Sequence, residues 1–180
     1  MRIAVAGDSF SEDKGPDSWT TRLHVTNFSQ RGISQYRLYQ QVCQIPQKQF
    51  DVVLVVHTSP YRIYCNHNQL HTNPPYNYCD LIYSDVSAHD SQFAKNVAWY
   101  FENVFDLDQA NFYHRLTVNA IKQQLWIPSL HFTFFDGTVD GVTSLHHIWQ
   151  QYPGSINHLS PEGNALVLDW VSSMLAKMQG

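Results

Sequence analysis

Asp51-Val52-Val53-Leu54-Val55-Val56-His57 is the stretch on which the fold turns. Apolar residues, mostly valine, fill the interval between an aspartate and a histidine, without alternation and without the length of a helix. A strand that is apolar on both sides is buried on both sides, which is the pattern of a central parallel strand covered by helices. Working outward, residues 2–6 form a second short apolar run that stops at Gly7-Asp8-Ser9, and residues 24–28 hold a short strand carrying Val25 and Phe28. Residues 130–135 read as a further strand ending at Asp136-Gly137. Between the strands lie helical patterns. Asp17 is placed to cap a short helix through Leu23. A helix from about Ser34 carries Tyr36, Leu38, Tyr39, Val42 and Ile45 near a 3.6 period and ends at Pro46. Residues 93–105 and 109–125 read as one helix broken near Asp106-Leu107-Asp108, or as two. Pro161 suits the first turn of a last amphipathic helix through about Met178.

Strands alternating with helices predict an α/β fold, a three-layer α/β/α sandwich around a mainly parallel sheet. With no repeat and no linker, residues 1–180 are expected to form one domain. A long loop insertion is expected at about 61–91, where Asn, His, Pro and Tyr dominate. Loops of that length in a compact domain are usually functional. A second irregular stretch is expected to run to Asn157.

Composition narrows the function. The chain has 180 residues, a formal net charge of −4 and only 11 Lys+Arg, which argues against a nucleic-acid partner, since phosphate contacts need a basic face. Three Cys do not form a disulfide framework. No apolar run approaches the roughly 18 residues of a membrane span, and no secretory signal is visible at the start. The expectation is a soluble cytoplasmic protein with no membrane partner.

In open parallel sheets ligands bind beyond the carboxyl ends of the strands. Collected there are Gly7-Asp8-Ser9-Phe10, Asn27 to Gly32, His57-Thr58-Ser59-Pro60-Tyr61-Arg62, Asp136, and the segment from Ser155 to Asn164. A hydroxyl, an imidazole and a glycine turn at one sheet edge are the parts of nucleophilic acyl transfer. These segments resemble the SGNH (GDSL-like) hydrolase family. Gly7-Asp8-Ser9-Phe10 is similar to its nucleophile block and puts Ser9 in the nucleophile's place. Asn27 to Ser34 is similar to the second block, whose glycine, Gly32, lends an oxyanion N–H. His158-Leu159-Ser160-Pro161-Glu162-Gly163-Asn164 resembles the last block, with His158 as the base. The resemblance implies a flavodoxin-like arrangement and a serine esterase acting on a small acyl ester, an O-acetylated glycan being favoured by the many Tyr, Asn and His. It implies no metal or organic cofactor.

Two departures stand out. Where the third block should present a glycine and an asparagine, this chain has Thr58 and Ser59, either of which is a candidate oxyanion donor, with Arg62 to add charge. The aspartate expected three residues before the histidine is Ser155. Asp136, Ser155 or a backbone carbonyl is then left to orient His158. Asp8, Arg62 and Asn157 are the candidate substrate contacts. The alternative is a binding or structural protein, for instance a phage-associated one, that keeps the scaffold without the activity. Cys65, His67, His71 and Cys79 lack the paired spacing of common zinc modules. The aromatic set Trp99, Tyr100, Phe101, Phe105, Phe112 and Tyr113 is expected in a helix core.

Overall fold

The computed structural model describes residues 1–12, 15–71, 79–137, 139–155 and 158–180. The central strand, β3 (Val52–His57), is buried along its whole length, as its sequence requires. It pairs in parallel with β1 (Ile3–Ala6) on one side and with β6 (Ser129–Thr133) on the other. β2 (Thr26–Asn27) and β7 (Thr143–Ser144) complete a five-stranded sheet in the order β2-β1-β3-β6-β7, every neighbour parallel. β7 is a strand that the sequence pattern does not announce. Two residues cannot display a period.

Alternation along the strands sorts the core into two faces. Ile3, Val5, Val52, Leu54, Val56, Leu130 and Phe132 point to one side. There they meet Val167, Val171 and Leu175 of α8 (Pro161–Lys177), Ile148 of α7 (His146–Gln151), and Phe10 and Trp19. Phe10 belongs to α1 (Ser9–Glu12) and Trp19 opens α2 (Trp19–Arg22). Ala4, Ala6, Val53 and Val55 point to the other side, against Leu38 and Val42 of α3 (Gln35–Gln44) and Ile121 of α6 (Leu107–Gln124). Helices therefore cover both faces of a parallel sheet, and the chain has the expected three-layer α/β fold.

Helix ends follow their caps. Ser34 accepts the Arg37 N–H at the start of α3, and Ser160 accepts the Gly163 N–H at the start of α8, where Pro161 occupies the first turn. Asp17 does not cap α2. Its cap position is Ser18, and the Trp19 N–H is instead taken by Asn164 Oδ1 at 3.1 Å, from the distant last block. Residues 93–125 form two helices, α5 (Gln92–Asn103) and α6, because the Asp106 carboxylate caps the second at the Gln109 N–H.

The described residues of the 61–91 stretch are more organised than expected. β4 (Arg62–Ile63) and β5 (Leu81–Ile82) form an antiparallel ribbon, and α4 (Tyr83–Val86) follows it. Leu70, Val86, Ala94 and Val97 make a small core of their own beneath them. Trp99, Tyr100, Phe112 and Tyr113 are exposed, against expectation, because α5 and α6 bury only the narrow stripes of Ala94 and Val97 and of Val118 and Ile121.

A line of polar side chains crosses the α3/α6 face. Gln35 Oε1 accepts the Thr58 N–H, so its amide nitrogen donates to His57 Nδ1 at 2.7 Å. His57 Nε2 must then donate to His131 Nδ1 at 2.9 Å, and His131 Nε2 to Ser129 Oγ at 3.0 Å. Burial holds both imidazoles neutral, His57 well below the usual histidine range and His131 at about 4.

Candidate active site

The strand order reverses between β1 and β3, and a doubly wound sheet opens its crevice at such a switch point. β1 runs into Gly7, where a side chain would meet Ser11 Oγ at 2.3 Å and Val56 Cβ at 2.7 Å, so only glycine lets the chain turn this close to the sheet. Asp8 is fully buried and starts α1: its Oδ1 accepts the Phe10 N–H at 3.1 Å, and its carbonyl accepts the N–H groups of Ser11 and Glu12. Ser9 is left as the first residue of that turn, with its side chain on a cleft of about 670 Å³.

The same cleft is lined by Gly32, Ser59, Arg62 and His158. Four segments far apart in sequence thus converge on one space. Gly32 has φ of +69°, and Cys79 Sγ lies 2.6 Å from where its Cβ would be. Both features demand glycine there. Ser59 accepts the Tyr61 N–H at 3.2 Å and keeps its own hydroxyl proton to donate. Arg62 Nη1 is held by Asp8 Oδ2 at 3.2 Å and by the Ile33 carbonyl at 3.0 Å, with the guanidinium 5.3 Å over the Phe135 ring. Among the described residues its other nitrogens have no partner. His158 donates its backbone N–H to the Ser155 carbonyl at 3.1 Å, and its ring lies beside Phe10 with centroids 6.1 Å apart.

Other candidates are placed elsewhere. The Thr58 hydroxyl donates to Asp8 Oδ2 at 3.1 Å and its N–H to Gln35, so it faces inward and does not line the cleft. Asp8 is spent on Thr58, Arg62 and its own turn, which leaves it a scaffold for Arg62 and not a contact for a ligand. Asp136 is exposed, accepts the Gly137 N–H at 2.8 Å, and lines a separate cavity of about 370 Å³ with His57, Asp108 and His114. Among the described residues its carboxylate has no hydrogen bond to His158. Ser155 is exposed and reaches His158 only through its backbone carbonyl. Asn157 lies outside the described residues. Among the described residues, no carboxylate is hydrogen-bonded to His158, and no hydrogen bond joins it to Ser9.

The insertion supplies the rest of the wall. His71, Cys79, Ile82, Tyr83 and Asp85 all line the cleft. Burial pushes the Cys79 thiol up to about 11, so it is protonated at neutral pH and is a poor nucleophile beside Ser9. His71 Nε2 lies 3.0 Å from Asp85 Oδ2. Among the described residues no three His, Cys, Asp or Glu gather as a metal site: Cys65 gives its N–H to Asp80, and Cys79 Sγ faces the Arg31 carbonyl. No helix among them is long and apolar enough to cross a membrane.

No family model matches the chain, and no curated protein matches it. Among the solved structures that resemble it, two do so at 12% identity over 98% of its length. One, from Bacteroides fragilis, is provisionally named an acylhydrolase; 87% of that chain is covered, with a TM-score of 0.45. The other is a GDSL-like lipase from Bacteroides thetaiotaomicron, covered over 88% with a TM-score of 0.47. A likeness at this level assigns no residue a role.

Proposed function

We propose that this chain is a serine hydrolase of the SGNH kind that cleaves small acyl esters. One observation carries the reading: Ser9, Gly32, Ser59, Arg62 and His158, drawn from four separate segments, line a single cleft at the sheet's switch point. In the proposed reaction Ser9 Oγ attacks the ester carbonyl while His158 takes its proton. The oxyanion is received by the backbone N–H groups of Ser9 and Gly32 and by the Ser59 hydroxyl, and Arg62 adds positive charge from the cleft wall. The leaving alcohol takes the proton back from His158, and water then releases the acyl group. Tyr61 and Tyr83 in the cleft lining suit a sugar alcohol, through stacking and hydrogen bonding.

A second reading has an observation of its own. His158 has no carboxylate partner among the described residues, and loss of that partner in a serine–histidine–aspartate triad lowers the rate by about 10⁴. The scaffold would then bind ligands in the cleft without turning them over. Labelling with a fluorophosphonate, followed by intact mass, separates the two. The hydrolase reading expects one adduct on the native protein, absent in Ser9→Ala and much slower in His158→Ala. A folded native protein that takes no label is a binder.

A further inference from the structure

The cleft holds a second imidazole, and this one has a carboxylate partner, which His158 does not have among the described residues. His71 reaches the wall from the segment between β4 and β5, with Nε2 3.0 Å from Oδ2 of Asp85 on α4. Both residues line the space that Ser9 and His158 line. Their side chains are 27% and 33% exposed, so water has access to the pair. Nε2 faces a carboxylate oxygen, so in the neutral ring the proton sits on Nε2 and Nδ1 is the basic nitrogen. The imidazolium formed when Nδ1 takes a proton would sit against Asp85. His89 packs on the ring at 6.4 Å, and Arg31, Arg62 and the uncharged Cys79 share the cleft.

We infer that His71, oriented by Asp85, activates the water that discharges the acyl-enzyme, while His158 serves the first half of the reaction. The inference rests on Ser9 being the nucleophile. In this step water gives a proton to His71 Nδ1 and its oxygen bonds to the acyl carbon. The tetrahedral centre then collapses, the bond from carbon to Ser9 Oγ breaks, and its electron pair stays on Oγ. That oxygen takes the proton of the carboxylic acid just formed, and His71 releases its own to solvent. Serine and a carboxylate are regenerated with no further reagent.

Stopped-flow hydrolysis of p-nitrophenyl acetate tests the assignment in His71→Gln and Asp85→Asn. The expected result is a first burst of p-nitrophenolate at a rate within about twofold of native, then a steady phase about 10²–10⁴ slower, the scale of losing a general base. An acetyl adduct on Ser9 accumulates in the intact mass of both variants. A purely structural role would not produce that adduct. Burst and steady phases slowed together, or neither slowed, overturn the assignment while fluorophosphonate labelling of Ser9 persists. A native protein that takes no fluorophosphonate removes the nucleophile itself, and the role of His71 falls with it.

Discussion

Two hydroxyls follow the central strand, and their surroundings divide them. Thr58 Oγ1 is committed to the buried Asp8 carboxylate, while Ser59 lies on the cleft. Ser59→Ala is therefore expected to lower the turnover of an acyl ester by about 10²–10³, the cost of one oxyanion donor, with stability nearly unchanged. Thr58→Val should behave the opposite way. It leaves Asp8 one hydrogen bond short and costs about 1–3 kcal/mol in urea denaturation, with turnover close to native. A Thr58→Val protein as inactive as Ser59→Ala would reverse the two roles. The sequence could not choose between them, because two adjacent hydroxyls look alike until the buried acceptor is located. Ser9, Gly32 and His158 were legible because each sits in a short contiguous block whose local geometry the neighbours fix. Gly32→Ala extends the point: at φ of +69° and with Cys79 Sγ 2.6 Å from the new methyl, both melting temperature and fluorophosphonate labelling should fall.

At the scale of elements, one buried carboxylate joins the insertion to α3. Asp80, fully buried, accepts the Ser34 N–H at 2.6 Å at the start of α3 and the Cys65 N–H at 2.9 Å, and pairs with Arg37 Nη2 at 2.9 Å. It ties β5 to α3 and to the turn after β4, and so keeps His71 and Asp85 on the cleft wall. Removing one partner of such a pair leaves a poorly hydrated charge, which typically costs about 3–5 kcal/mol. Asp80→Ala is expected to lose stability on that scale. Limited proteolysis should then cut first within residues 61–91, before the five-stranded sheet opens. Cleavage that begins instead in α8 would show that the insertion is anchored by other contacts. None of this was readable along the chain. β4, β5 and β7 have two residues each, and α4 one turn, so no period forms. Asp80 meets Ser34 and Arg37 only after the sheet has brought segments more than forty residues apart together. The exposed aromatics of α5 and α6 mark the same limit, since helical spacing shows which residues share a face but not whether that face is covered.

For the whole molecule, the parallel sheet and its helical layers follow from one strand apolar on both faces, yet that strand also ends in a histidine the core must neutralise. His57 is completely buried, and with His131 it forms a directed hydrogen-bond chain that only neutral rings can complete. Burial lowers both rings, and the nearby Lys122 adds to it for each, with His114 also acting on His57. The sign follows from proton counting. Below about pH 6.5 the unfolded chain binds protons on these histidines that the folded chain refuses, so folding stability is fully present above that pH and is lost as pH falls toward 4. His131, at about 4 in the folded protein, carries part of that loss. Urea denaturation at pH 7.5, 6 and 5 should show stability dropping at each step. In His131→Gln the protein should be less stable at pH 7.5 but show a shallower slope, since one of the buried histidines that gain a proton on unfolding is gone. A slope that His131→Gln leaves unchanged would show that the histidine chain does not carry the acid sensitivity, and it would then be a packing feature alone.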